Sequence, residues 1–160
     1  MKINLRYLPK RLSKKDKITQ YKMLIKSRRL YKKGKFYSRK AVPSFRSKKS
    51  PHIIKAIKIY DVSKIGVTNE LANATGCSKS VLSKIINKGE GAYFSSGSRP
   101  NQTAQSWGIA RLASSITGGK AAAVDFSILE KGCKPESKAL TLAKKARKKH
   151  GYGTRRIAKV

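Results

Sequence analysis

At 160 residues, with 39 lysines and arginines against seven aspartates and glutamates, the chain carries a formal charge of +32 at neutral pH. Self-repulsion on that scale disfavours a compact free chain unless polyanions neutralise it, so nucleic acid is the natural partner, and 8% aromatic content admits one small domain with a modest core. No apolar run is long enough to span a bilayer and the opening MKINLRYLPKRL lacks a signal peptide's uninterrupted apolar region, so a soluble, non-secreted protein without membrane insertion is expected.

Charge divides the sequence. Residues 1–50 hold 19 cations and one acid, residues 51–133 hold 10 and five, and residues 134–160 hold 10 and one. The expectation is a mostly α protein: a small helical domain over 51–133 with a helix-turn-helix-like pair, a basic N-terminal arm with one helix over 1–50, and a basic C-terminal helix and tail over 134–160. In the first part, Ser13 with Asp16 forms a capping box. Ile18, Tyr21, Leu24, Ile25 and Tyr31 then line one side of a helix ending near Gly34, whose other face is basic. Arg28, Arg29, Lys32 and Lys33 on this helix are candidate phosphate contacts. The following KGKFYSRKAVPSFRSKKSP mixes Phe36, Tyr37 and Phe45 with cations, which suits base stacking and phosphate contact or draping over a protein surface.

Ser50 and Pro51 start a second helix, with Ile53, Ile54, Ala56, Ile57 and Tyr60 in amphipathic spacing. Next comes VTNELANATGCSKSVLSKIINKG, residues 67–89. Thr68 caps a short helix with Leu71, Ala72 and Ala74 on its apolar side, and Gly76 supplies the positive φ that ends it. Ser78 caps a second helix that buries Val81, Leu82, Ile85 and Ile86 and closes at Gly89. The run ELANATGCSKSVLSKIINKG resembles the helix-turn-helix of lac-type bacterial repressors. That resemblance implies base-edge contacts from Lys79, Ser80, Ser83 and Lys84 on the second helix; an ordinary helical hairpin is the alternative. Cys77 and Cys133 have no neighbouring Cys or His at ligand spacing and are read as reduced intracellular thiols rather than a disulfide.

A glycine and serine loop over 89–102 leads into a helix capped by Thr103 and carrying Trp107, Ala110, Arg111, Ala113 and Ser114. Trp107 is read as an anchor for the loop rather than a base-stacking ring. Arg99 and Arg111 either bind phosphate or pair internally with Asp125 or Glu130. Gly118 and Gly119 lack the GxxxxGK[ST] context of a phosphate loop and mark a helix stop. A short helix from Lys120 runs toward Leu129.

Asp125 and Glu130 do not make a nuclease centre, because the chain offers few other acids and no histidines at metal spacing. His52 and His150 lack an obvious catalytic partner. No metal site, cofactor or catalytic set is expected, and the protein is read as non-enzymatic. After Pro135 and a Ser137 cap, Leu140, Leu142, Ala143 and Ala146 give a last helix an apolar side. Lys144, Lys145, Arg147, Lys148 and Lys149 on it form a nuclear-import signal or a nucleic-acid patch.

The run GAYFSSGSRPNQTAQSWGIARLASSITGGKAAAVDFSIL, Gly91 to Leu129, together with Gly76, Cys77, Lys88 and Gly89, resembles a domain in an uncharacterised basic protein family of large DNA viruses that infect algae and other protists, and more faintly some tailed phages. The resemblance implies a viral origin and no particular catalysis. With the charge, it leads to the expectation of a virion-associated protein, a minor capsid-lining or genome-packaging component of a multi-component assembly. Its expected partners are viral genomic DNA, bound mainly through phosphates, and the major capsid protein. It would reside in the virion, and in host cytoplasm or nucleus during infection. A sequence-specific regulator using the helix-turn-helix, and a cement protein that contacts capsid protein rather than DNA, are the alternatives.

Overall fold

Cap residues stand before most of the amphipathic runs, and helices form at each of those runs. The computed structural model describes residues 2–152 and contains, among them, eight α-helices and no strand. They are α1 (Lys14–Lys32), α2 (Pro51–Tyr60), α3 (Asn69–Thr75), α4 (Lys79–Ser95), α5 (Ala104–Ile116), α6 (Lys120–Val124), α7 (Phe126–Gly132) and α8 (Lys138–His150). The mostly α class is therefore as expected. The C-terminal tail beyond Tyr152 lies outside the described residues.

Charge divides the chain into successive segments, but contacts divide it otherwise. One compact unit takes in described residues 2–48 and 90–107, and the other takes in 49–89 and 108–152.

The larger unit has one continuous core. Ala56 and Tyr60 from α2, Leu71 from α3, Val81, Leu82 and Ile85 from α4, and Leu112, Ala113 and Ile116 from α5 meet Ala122, Phe126 and Leu129. Ala139, Leu140, Ala143 and Ala146 of α8 complete it, and α8 packs on α6 and α7. Buried Tyr60 donates its hydroxyl proton to the Ile116 carbonyl, and burial raises its pKa. Gly89 does not end α4. It is buried mid-helix, and a Cβ there would sit 2.6 Å from Gly108 Cα, so backbone of α4 and α5 approaches closely at this point. A helix-interior glycine costs about 1 kcal/mol relative to alanine and is tolerated where such an approach needs it. The expected loop over 89–102 accordingly shrinks to residues 96–103.

Cys77 and Cys133 correct a second expectation, because they are joined by a disulfide across a sequence separation of 56. Spacing alone could not find it. The turn after α3 and the end of α7 run side by side, with Ser78 N–H donating to Gly132 O at 3.0 Å and Lys134 N–H to Gly76 O at 2.9 Å.

The smaller unit holds two small clusters, Ile3, Leu8 and Leu24, and Leu12, Met23 and Val42. The face of α1 that packs follows the apolar spacing only at Leu24, with Ile25 packed beside it. Asp16, Gln20, Met23, Leu24 and Ser27 are buried, whereas Ile18 is 57% exposed and Tyr21 and Tyr31 also reach solvent. Ser27 and Asp16 go inward because they find partners: Ser27 Oγ donates to Phe94 O at 3.0 Å, and Asp16 Oδ2 accepts from Ser44 N–H at 2.8 Å. The capping box is thus half formed. Ser13 Oγ accepts from Asp16 N–H at 3.1 Å, but Ser13 N–H turns to Ser44 Oγ. Those Ser44 hydrogen bonds hold the Asp16 carboxyl below the ordinary carboxylate range.

Candidate nucleic-acid interface

A cation meets a phosphate most readily when its donors are not already committed, so each candidate is placed by what it touches. In the smaller unit, Arg28 is committed. Its Nε and Nη2 donate to Ser96 O at 2.9 and 2.7 Å, and its Nη1 to Lys2 O at 2.9 Å. Arg29 and Lys32 are exposed on α1, Lys33 is exposed at its C-cap, and Arg99 is exposed in the 96–103 loop.

Arg39, which sequence reading passed over, is the most enclosed of these arginines. Its Nη1 donates to Ser27 Oγ at 2.9 Å and Tyr93 O at 2.8 Å, its Nη2 donates to Ser98 Oγ at 2.9 Å, and its guanidinium carbon stands 3.8 Å from the Tyr93 ring centroid. Burial lowers its pKa, Tyr93 partly offsets this, and an arginine starting so high remains a cation. A planar fork on an aromatic face is the arrangement that favours arginine over lysine.

The basic stretch after α1 is fastened rather than loose. Asn101, at a φ of +61°, accepts from Val42 N–H at 2.7 Å and donates from Nδ2 to Val42 O at 3.1 Å and Phe45 O at 2.5 Å. Trp107 stands edge-on to Tyr7 with ring centroids 6.2 Å apart. The same unit therefore orders residues 35–47, and their exposed lysines project from a fixed backbone.

In the larger unit, the turn expected between two helices is present. Thr68 Oγ1 accepts from Leu71 N–H at 3.1 Å, Gly76 takes a φ of +76°, and Ser78 Oγ accepts from Val81 N–H at 3.3 Å. Lys79, Ser80 and Lys84 are exposed and Ser83 is half-buried. The turn is also a structural joint. It bears the disulfide, and a Cβ on Gly132 would overlap Val81 of α4.

Arg111, expected either on phosphate or on a carboxylate, is on the carboxylate. Its Nη2 lies 2.8 Å from Asp125 Oδ1 and its Nε 3.0 Å from Oδ2. Lys88 Nζ approaches Oδ1 at 3.1 Å and Ser115 Oγ donates to Oδ2 at 3.0 Å. Asp125 is completely buried. Burial alone would raise its pKa, but hydrogen bonds and charge from Arg111 and then Lys88 outweigh it and hold the carboxyl below its ordinary range. Glu130 is exposed and takes no part in this cluster.

Lys144, Lys145, Lys148 and Lys149 are exposed, while the Arg147 guanidinium lies over two rings, 4.5 Å from the Phe126 centroid and 4.8 Å from that of Tyr152.

A family model matches residues 4–139. The chain belongs to DUF5824, a family of unknown function. No curated protein and no solved structure matches it significantly. The DUF5824 match takes in α1 through α7 with the Arg111–Asp125 cluster and the Asn101 clasp, and stops before the Lys144–Lys149 run on α8. Among the described residues of this DUF5824 chain, no three His, Cys, Asp or Glu are grouped to hold a metal ion, and no helix is long and apolar enough to cross a membrane.

Proposed function

We propose that this chain is a non-enzymatic basic protein of a large DNA virus, a minor structural or genome-packaging component of the virion that binds nucleic acid mainly through phosphates. One observation carries the reading. The acids that could neutralise the chain are few and Asp125 is spent inside it on Arg111 and Lys88, whereas lysines stay at the surface of α1 and α8. No acidic residue occurs between Asp16 and Asp61 or beyond Glu136. Cationic surfaces of this density find their counter-charge in a polyanion.

The viral placement rests on the likeness of Gly91 to Leu129 to proteins of large DNA viruses. The disulfide supports a place in an assembled particle over a reducing cytosol, where such bonds are rare. Mass spectrometry of purified particles tests the placement, with the protein expected among the particle components and its absence overturning it. Selection of binding sites from random duplexes tests the mode. A phosphate binder enriches no motif, whereas an enriched motif would return Lys79, Ser80 and Lys84 to base readout.

A further inference from the structure

The structure sorts the aromatic residues that the sequence mixes with cations after α1. Phe45 is half-buried against the cluster of Leu12, Met23 and Val42, and Tyr37 is half-buried with Lys26 Nζ 4.5 Å above its ring. Phe36 is left 71% exposed, and Tyr31 at the end of α1 is 39% exposed beside it. Their ring centroids are 6.2 Å apart, and Phe94 supports Phe36 from behind at 5.1 Å. Gly34, at a φ of +73°, turns the chain so that Phe36 comes back onto the last turn of α1. The Tyr31 and Phe36 planes are inclined by 51°, so the two exposed rings offer adjacent faces, and Phe36 is braced against Phe94 rather than loose.

Lys32, Lys33 and Lys35 are the exposed neighbours of these rings in the chain, and the acid-free stretch from Lys17 to Tyr60 surrounds them in sequence. The geometry points to a binding site for single-stranded nucleic acid, in which unpaired bases stack on Phe36 and Tyr31 while Lys32, Lys33 and Lys35 contact the flanking phosphates. The inference rests on the nucleic-acid reading above and names the form of nucleic acid that this site takes. In a duplex the base faces are stacked on one another and not free to receive a ring, so the rings add affinity for single strands alone. A second copy of this chain is a poor occupant, because it would bring like charge against like charge. An acidic protein would satisfy the lysines but leave no reason for two exposed π faces.

The test uses the full-length protein, with fluorescence anisotropy of labelled oligo-dT and of a mixed-sequence duplex of equal length, over a range of salt. Phe36→Ala is expected to weaken oligo-dT binding roughly 5- to 100-fold, leave duplex binding within about twofold, and leave both salt slopes unchanged. Phe36→Trp is expected to retain or improve oligo-dT binding. Circular dichroism of each variant checks the fold. Unchanged oligo-dT affinity for folded Phe36→Ala, equal losses on both oligonucleotides, or polyglutamate displacing oligo-dT as well as unlabelled oligo-dT does would each overturn the stacking site. If the unmodified protein bound neither oligonucleotide with a salt-dependent affinity, the nucleic-acid reading itself would fail, a result distinct from the loss of this site alone.

Discussion

The Arg111 guanidinium holds both oxygens of the Asp125 carboxylate, with Nη2 2.8 Å from Oδ1 and Nε 3.0 Å from Oδ2, where the chain breaks between α6 and α7. A buried carboxylate with this set of donors is a structural joint, and removing its charge strands Arg111 in a half-buried site. Asp125→Asn should cost about 3 kcal/mol, the lower end for breaking a buried pair, because Lys88 is half-exposed and can turn to water. Arg111→Lys keeps the charge but loses the fork and should cost about 1–2 kcal/mol. Urea unfolding measures both. An Arg111→Lys variant as stable as the parent would return this arginine to the pool of phosphate contacts.

The same pair sets a pH dependence. The folded pKa of Asp125 lies below its ordinary value of 3.8, so the stability it contributes is complete above that value and is lost as pH falls through the lowered one. Asp16, also lowered, acts in the same direction. Unfolding free energy should therefore hold level from pH 7 to about 5 and fall steeply below about 4. Asp125→Asn should shrink that fall. An equally steep fall in the variant would mean that other carboxylates govern acid unfolding.

Gly89 tests the close approach of α4 and α5. On helix propensity alone Gly89→Ala should stabilise by up to about 1 kcal/mol. Against that, the new Cβ would lie 2.6 Å from Gly108 Cα and 3.2 Å from Arg111 Cβ, and the first of these is backbone that cannot swing away. Overpacking of this kind costs about 1–3 kcal/mol, so the variant should be destabilised. Gly91→Ala, two residues on and with no atom within 4 Å of its Cβ position, serves as the control and should be neutral or stabilising. A stabilised Gly89→Ala would overturn the close approach.

Those two glycines also mark what the sequence could and could not reveal. Caps were legible because they depend on neighbours in sequence: Thr68, Ser78, Thr103 and Ser137 each accept a backbone N–H from three residues onward. Gly89 was misread as a stop because glycine for a crossing and glycine for a helix end look alike in a string. On α1 the spacing finds Leu24 and Ile25 but not the polar part of the buried face, since Ser27 and Asp16 are inside by virtue of Phe94 and Ser44, 67 and 28 residues away. Of the candidate interface, the charge was legible. Which cations are spoken for was not, because Arg28 is taken up by carbonyls and Arg111 by a carboxylate that only the fold brings near.

The Cys77–Cys133 bridge closes a long loop and ties the turn before α4 to the end of α7. By loop entropy a closure of 56 residues contributes about 4 kcal/mol, and removing a native disulfide typically costs about 2–5. Cys77→Ala with Cys133→Ala should lower the unfolding free energy by about that much, and a reductant should do the same to the parent but not to the double variant. Thiol counting under denaturing conditions reads the bond directly. Two free thiols in protein purified without reductant would restore the expectation of reduced cysteines.

The last prediction separates charge from folding in the proposed binding. Deleting residues 1–50 would remove 19 cations, but it would also remove Val42 from Asn101 and Arg39 from Tyr93, so lost binding could not be told from a lost fold. The lysines of α8 offer a cleaner change. Lys144, Lys145, Lys148 and Lys149 are exposed, and the helix packs through Ala139, Leu140, Ala143 and Ala146. Glutamine has nearly the helix propensity of lysine, and the lost attraction of cations to the helix C-terminus amounts to a few tenths of a kcal/mol each. With all four changed to glutamine the fold should persist. Each phosphate contact contributes about 0.9 to the slope of log affinity against log salt on B-form DNA, so the slope should flatten by up to about 3.6, with affinity falling equally on unrelated duplex sequences. An unchanged slope would take α8 out of the nucleic-acid surface and leave its cations for capsid protein or an import receptor. A loss confined to some sequences would replace phosphate binding with base readout.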